Sequence, residues 1–186
     1  MKEMVLNDVM QSPFDLFKER LDRAEDIMKE LVRPLEYYSN HNTILTLLCG
    51  HNAYPADINA EERHQLQLQK FQYVMEKIAE IKGSDTANFL NEFVAQTSGC
   101  TLYMQSAIYC KKEHMQILCN YGYDPTFVHK DKNGNDVTFE QFINFFYADS
   151  SLMDLVEFNN ELCVNYNKNR LEVDLAEKPN VRQKKI

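Results

Sequence analysis

The chain has 186 residues, 44% of them hydrophobic, which suits one single-core domain or two small ones. Five Gly and five Pro are too few for the turns of a sandwich or barrel, and a formal net charge of −8 opposes a broad electrostatic footprint on nucleic acid. No apolar run approaches the roughly 18 residues of a membrane span, and acidic and amide residues interrupt MKEMVLNDVMQSPF where a signal peptide would be apolar.

The cysteines are Cys49, Cys100, Cys110, Cys119 and Cys163. Their odd number and lack of paired spacing lead us to expect reduced thiols in an intracellular, cytoplasmic chain. Residues 12–32 carry a helical pattern. Ser12 suits a cap, Pro13 the first helical position and Asp15 the first turn. Phe14, Phe17, Leu21, Ala24, Met28 and Leu31 then recur at spacings of three and four, on one face. Arg33-Pro34 ends the pattern. The apolar piece TILTLLCG, 43–50, follows, with Gly50 as its expected C-cap.

Residues 51–58 read as a loop around Pro55. A helix is expected from a cap at Asn59 to Lys82, with Phe71, Val74, Met75, Ile78 and Ile81 on its face and Gly83 as its stop. Ser84 or Asp85 then caps a shorter helix holding Phe89, Leu90, Phe93 and Val94. The pattern contains no persuasive strand in this half.

Residues 99–126 read GCTLYMQSAIYCKKEHMQILCNYGYDPT. Thr101 can cap a first helix. Ser106 and Ala107 are a small pair that lets helices approach closely. Met115, Ile117 and Leu118 sit in a second helix, and Gly122 supplies the left-handed residue that ends it. Asp124-Pro125 favours an extended exit. The segment resembles one ankyrin repeat, whose pattern is roughly G-x-T-P-L-H-L-A-A-x-x-G-x-x-x-I-V-x-x-L-L-x-x-G-A-D-P-N. Gly99 and Gly122 match without a gap, 23 positions apart. The departures are Leu102 for Pro, Met104 for His, Cys110 for Gly and His114 for Ile.

Residues 131–142, DKNGNDVTFEQF, have two readings. As a calcium loop counted from Asp131, Asp136 stands where Gly is needed and Phe142 where the bidentate Glu is needed. As the D-x-x-G opening of a further repeat, Gly134 follows Gly99 by 35 positions, against a usual period of about 33. Thr138 with Gln141 forms a capping-box pattern, followed by Phe139, Phe142, Ile143 and Phe146 on one face. Asp149 or Ser150 then begins a helix through Leu152, Leu155, Val156 and Leu162. The repeat reading accounts for more of the segment. Ile44, Leu47, Leu48 and Gly50 loosely imitate the second helix of a third unit.

The expected fold is all-α: a short ankyrin-repeat-like stack of helix–turn–helix units with an N-terminal helical extension or cap. Residues 1–83 form the N-terminal region, 84–165 the repeats, and 166–186 a polar, flexible tail. The resemblance implies a protein-binding adaptor or scaffold without a cofactor. It places partner contacts at Cys100, Ile108, Tyr109, Val128, His129, Lys130, Lys132, Asn133 and Asn135, with Thr97 and Ser98 beside them. Ile108 and Tyr109 read either as an exposed anchor or as residues packed under the N-terminal helices or the finger.

Cys110, His114 and Cys119 lack a C-x-x-C or H-x-x-x-H spacing, so packed or partly exposed thiols are expected rather than a metal site. No phosphate loop, nucleophile elbow or H-E-x-x-H motif marks a catalytic set. An enzyme with a site in the N-terminal helical half is the alternative. The basic end VRQKKI suits a signal read by another protein, as in effectors that intracellular bacteria deliver into host cells. The expected partner is another protein, not nucleic acid or a membrane, and the expected state is a monomer.

Overall fold

The computed structural model describes residues 9–35, 42–50, 60–96, 99–126, 128–130, 134–146 and 152–177. Among them the protein is mostly helical, as the composition implies. The chain divides into two compact units, Met1–Tyr123 and Asp124–Ile186. The expected boundary at 83/84 is not where it divides, because helices from both sides of Gly83 share one core.

In the first unit, α1 spans Phe14–Asp22 and α2 spans Ile27–Val32. The single helix expected over 12–32 is therefore broken. Asp26 breaks it: its backbone is extended (φ −136°, ψ 100°) and its carboxylate accepts the Lys29 N–H at 2.9 Å. A short acid that caps a new helix competes with continuation of the old one. At the other end Pro13 is itself the N-cap, and the helix begins one residue later than expected. Phe17, Leu21 and Leu31 are buried, while Phe14, Ala24 and Met28 are half-buried. Arg33 ends α2 in the extended conformation that a following proline imposes (φ −70°, ψ 143°).

Helix α3, Ile44–Gly50, is buried at all seven positions. Thr43 starts it with a reciprocal cap: the Thr46 N–H donates to Thr43 Oγ1 at 3.2 Å, and the Thr43 N–H to Thr46 Oγ1 at 2.8 Å. Gly50 is not the left-handed cap expected of it, since it stays helical. A Cβ there would lie 2.7 Å from Gln105 Cγ and 2.8 Å from Tyr109 Cε2. It is glycine because another helix presses against it.

Helix α4, Ala60–Lys82, is the spine of the unit, packing on α1, on α3 and on α7 described below. Phe71, Val74, Met75 and Ile78 are fully buried, but Ile81, expected on the same face, is 49% exposed where the helix leaves the core. A 3-10 turn, Gly83–Asp85, leads into α5, Thr86–Glu92. Asp85 precedes α5 without capping it by its side chain; its carboxylate accepts from Asn88 Nδ2 at 2.9 Å, and Thr86 Oγ1 donates to the Gly83 carbonyl at 2.7 Å. The helix ends before Phe93 and Val94, and Val94 forms an antiparallel bridge with Thr101.

Helices α6, Leu102–Ile108, and α7, Lys112–Asn120, form an adjacent pair. Thr101 caps α6 by accepting the Met104 N–H at 3.2 Å. Both helices end in the same six-to-one and five-to-two pattern of hydrogen bonds. At α7 the Tyr123 N–H reaches the Leu118 carbonyl and the Gly122 N–H reaches Cys119, each at 3.0 Å. At α6 the Lys111 N–H reaches Ser106 at 2.9 Å and the Cys110 N–H reaches Ala107 at 3.0 Å. Both caps need a left-handed residue. Gly122 has φ +96°, and Cys110 adopts φ +54° despite its Cβ.

In the second unit, β1, His129–Lys130, pairs antiparallel with β2, Asp136–Val137, in the register His129↔Val137 and Lys130↔Asp136. Helix α8, Phe139–Phe146, opens with the expected capping box. The Gln141 N–H donates to Thr138 Oγ1 at 3.2 Å, and the Thr138 N–H to Gln141 Oε1 at 3.0 Å. Phe142 and Ile143 are buried, whereas Phe146, expected on their face, is 45% exposed. Helix α9, Leu152–Glu177, packs Leu155 and Leu162 into this core. The flexible tail expected from 166 is helical as far as 177. Residues 167–173 are exposed, so they leave no apolar rhythm to read. The capping candidates Asp149 and Ser150, the loop around Pro55, Asn59 and the basic end lie outside the described residues.

Candidate functional site

The residues expected to meet a partner occupy different settings. Tyr109 stands at the α6–α7 turn, 40% exposed, with its ring edge over Gly50. Ile108 beside it is half-buried. Tyr109 is therefore partly packed against α3 and partly exposed. Cys100 is not exposed as expected: it is 4% accessible, because its carbonyl accepts the Ala95 N–H at 2.9 Å and folds the segment back onto the unit. In the second unit Val128 is 47% exposed and Asn135 is exposed. His129 and Lys130 supply the backbone of β1. Thr97, Ser98, Lys132 and Asn133 lie outside the described residues, as does Asp131, where the calcium count began. Beyond it, Asp136 enters a strand and Thr138 to Phe142 a capped helix.

A second constellation was not expected. Where α3, α4, α6 and α7 meet, Cys49, Gln67, Ser106, Lys111 and His114 are all buried. The Lys111 ammonium donates to Gln67 Oε1 and to the Leu48 carbonyl, the latter at 3.3 Å. Burial lowers its pKa to about 8. Burial likewise pushes the Cys49 thiol up to about 12, so it is neutral and no ready nucleophile. His114 has no exposed surface, and neither ring nitrogen has a protein hydrogen-bond partner. Its ring stacks on Phe71 with centroids 4.6 Å apart. Burial, then the nearby Lys111 and His64 charges, hold its pKa down at about 3.

Lys70, on α4, is a second buried cation. Its ammonium donates to the Val9 carbonyl at 2.7 Å and lies 5.3 Å from the centre of the Phe17 ring, and burial lowers its pKa to about 8. Periodicity scoring assigns lysine to solvent, so type alone hid both residues. Position was the available signal: Gln67 and Lys70 continue the buried stripe of Val74 and Ile78 at spacings of three and four.

The crevice lined by Val9, Met10, Leu66, Gln67 and Lys70 is too narrow to admit a water. Cys110 is exposed, His114 fully buried and Cys119 half-buried, and among the described residues no three His, Cys, Asp or Glu side chains converge as metal ligands. Among those residues, too, no helix is long and apolar enough to cross a membrane. Comparison with protein-family models, with curated proteins and with solved structures finds no match for this chain.

Proposed function

We propose that the chain is a protein-binding module of the ankyrin-repeat kind, an adaptor or scaffold. One observation carries the reading: the same local order occurs twice. The Val94↔Thr101 bridge precedes Thr-capped α6 and then α7, and the β1–β2 pairing precedes Thr138-capped α8 and then α9. A divergent repeat has this construction, with a hairpin finger before each helix pair. Partner contacts fall to Ile108 and Tyr109 at the α6–α7 turn and to the β1–β2 finger. The exposed aromatic of Tyr109 is the residue type that most often anchors an interface. An intracellular setting suits this reading, since the cysteines are then kept as thiols.

The test is affinity capture from cell lysate with the full chain, Tyr109→Ala and Val128→Ala. Loss of a specific captured protein by either variant, with melting unchanged, supports the reading. Wild-type capture by both variants sinks the proposed contact surfaces.

A further inference from the structure

His114 is an unusual residue to bury as it is. A neutral imidazole carries one donor and one acceptor, and leaving a buried polar group unmatched costs about 1–3 kcal/mol. Here both nitrogens lack protein partners, while the ring face is covered by Phe71 of α4. The surroundings tolerate a neutral ring only. Lys111, at the start of the same helix, holds a buried ammonium directed to Gln67 and the Leu48 carbonyl. From α4, His64 faces His114 with ring centroids 6.3 Å apart. From α6 the titratable side chain is Tyr103, which is stacked on Tyr123 at 4.8 Å. From α3, Cys49 lies near Lys111 as a neutral thiol. The adjacent carboxylate, Glu113, is 56% exposed and lies 3.6 Å from His64 Nε2.

We propose that His114 is an acid-sensitive latch: α7 stays on α4 while the imidazole is neutral, and taking up a proton requires α7 to leave. An imidazolium there would need acceptors for two N–H groups that have none, and it would be repelled by the Lys111 charge. Protonation is therefore coupled to opening, which exposes the inner faces of α4 and α7. The device is independent of what the module binds.

The linkage sets the size of the effect. A site that takes up one proton only on opening makes opening about tenfold more favourable for each pH unit below its open-state pKa, near 6.5 for histidine. Between pH 7.5 and 4.5 the opening constant of α7 should rise about a hundredfold through this residue alone. The measurement is amide hydrogen exchange of α7 at the two pH values, corrected for intrinsic exchange, in the full chain and in His114→Phe. Phenylalanine keeps a ring for Phe71 to stack on and removes the proton. The expected result is a rise in the wild type about a hundredfold larger than in the variant; equal rises overturn the proposal. If His114→Phe fails to fold, the wild type is decisive through its histidine NMR titration. His114 should not titrate in the closed form at pH 5, and a normal titration with α7 still protected overturns the latch.

Discussion

Cys110 offers a sharp test of the helix caps, because α6 and α7 end in the same hydrogen-bond pattern on different residues. At α7 the left-handed position is Gly122; at α6 it is Cys110, with φ +54°. For a residue with a Cβ that conformation costs about 1–2 kcal/mol. Cys110→Gly removes the cost but gives the unfolded chain more freedom, a loss of about 0.4–1 kcal/mol. The side chain is exposed, so little packing is lost with it. The variant should gain about 0.5–1 kcal/mol, read as a higher urea midpoint at unchanged slope. Cys110→Ser is the control, since it removes the thiol and keeps the strain. A glycine variant no more stable than the serine variant would refute the strained cap. The converse change, Gly122→Ala, meets both the left-handed backbone and Ala87 Cβ at 2.8 Å, and should cost about 2–3 kcal/mol in the same assay.

Three further outcomes follow from the packing and charge. Gly50→Ala should destabilise the first unit by about 1–3 kcal/mol, and Gln105→Ala should recover part of it; additive effects in the double-mutant cycle would mean the helices do not touch there. For Lys111 the folded pKa of about 8 lies below its unfolded value of 10.5, so the unfolded chain holds more protons between them and stability rises with pH through that window. It is cleanest between pH 8 and 9, before Cys49 opposes it. Lys111→Met should flatten the rise in chemical denaturation, leaving the share due to Lys70, and an unchanged slope would disprove the buried charge. Thr138→Ala breaks the capping box, and amides at the start of α8 should exchange about fivefold faster, about 1 kcal/mol; unaltered exchange would count against the box.

Local chemistry was legible in the residues themselves. Thr101, Thr138 with Gln141, and Gly122 each act within one turn of the chain, through bonds whose partners are three to five residues away. The long helix ending at Lys82 was likewise visible, because a core on one side imposes a rhythm of three and four. The break at Asp26 was hidden because the apolar rhythm continues across it. The continuation of α9 past 166 was hidden for the opposite reason, since its residues 167–173 are exposed and carry no rhythm.

The sequence by itself determined the helical class, the ends of several helices and the low number of turns, because those depend on neighbours along the chain. Only the tertiary structure decided that Gly50 is a contact between helices and not a cap, that Lys70 and Lys111 lie inside, and that His114 is sealed without a partner. Each depends on what another segment places within a few ångströms: Tyr109 over Gly50, Val9 on Lys70, Leu48 and Gln67 on Lys111, Phe71 on His114. A side chain's type states what it needs; which distant residue meets that need, or leaves it unmet, is settled only when the helices pack.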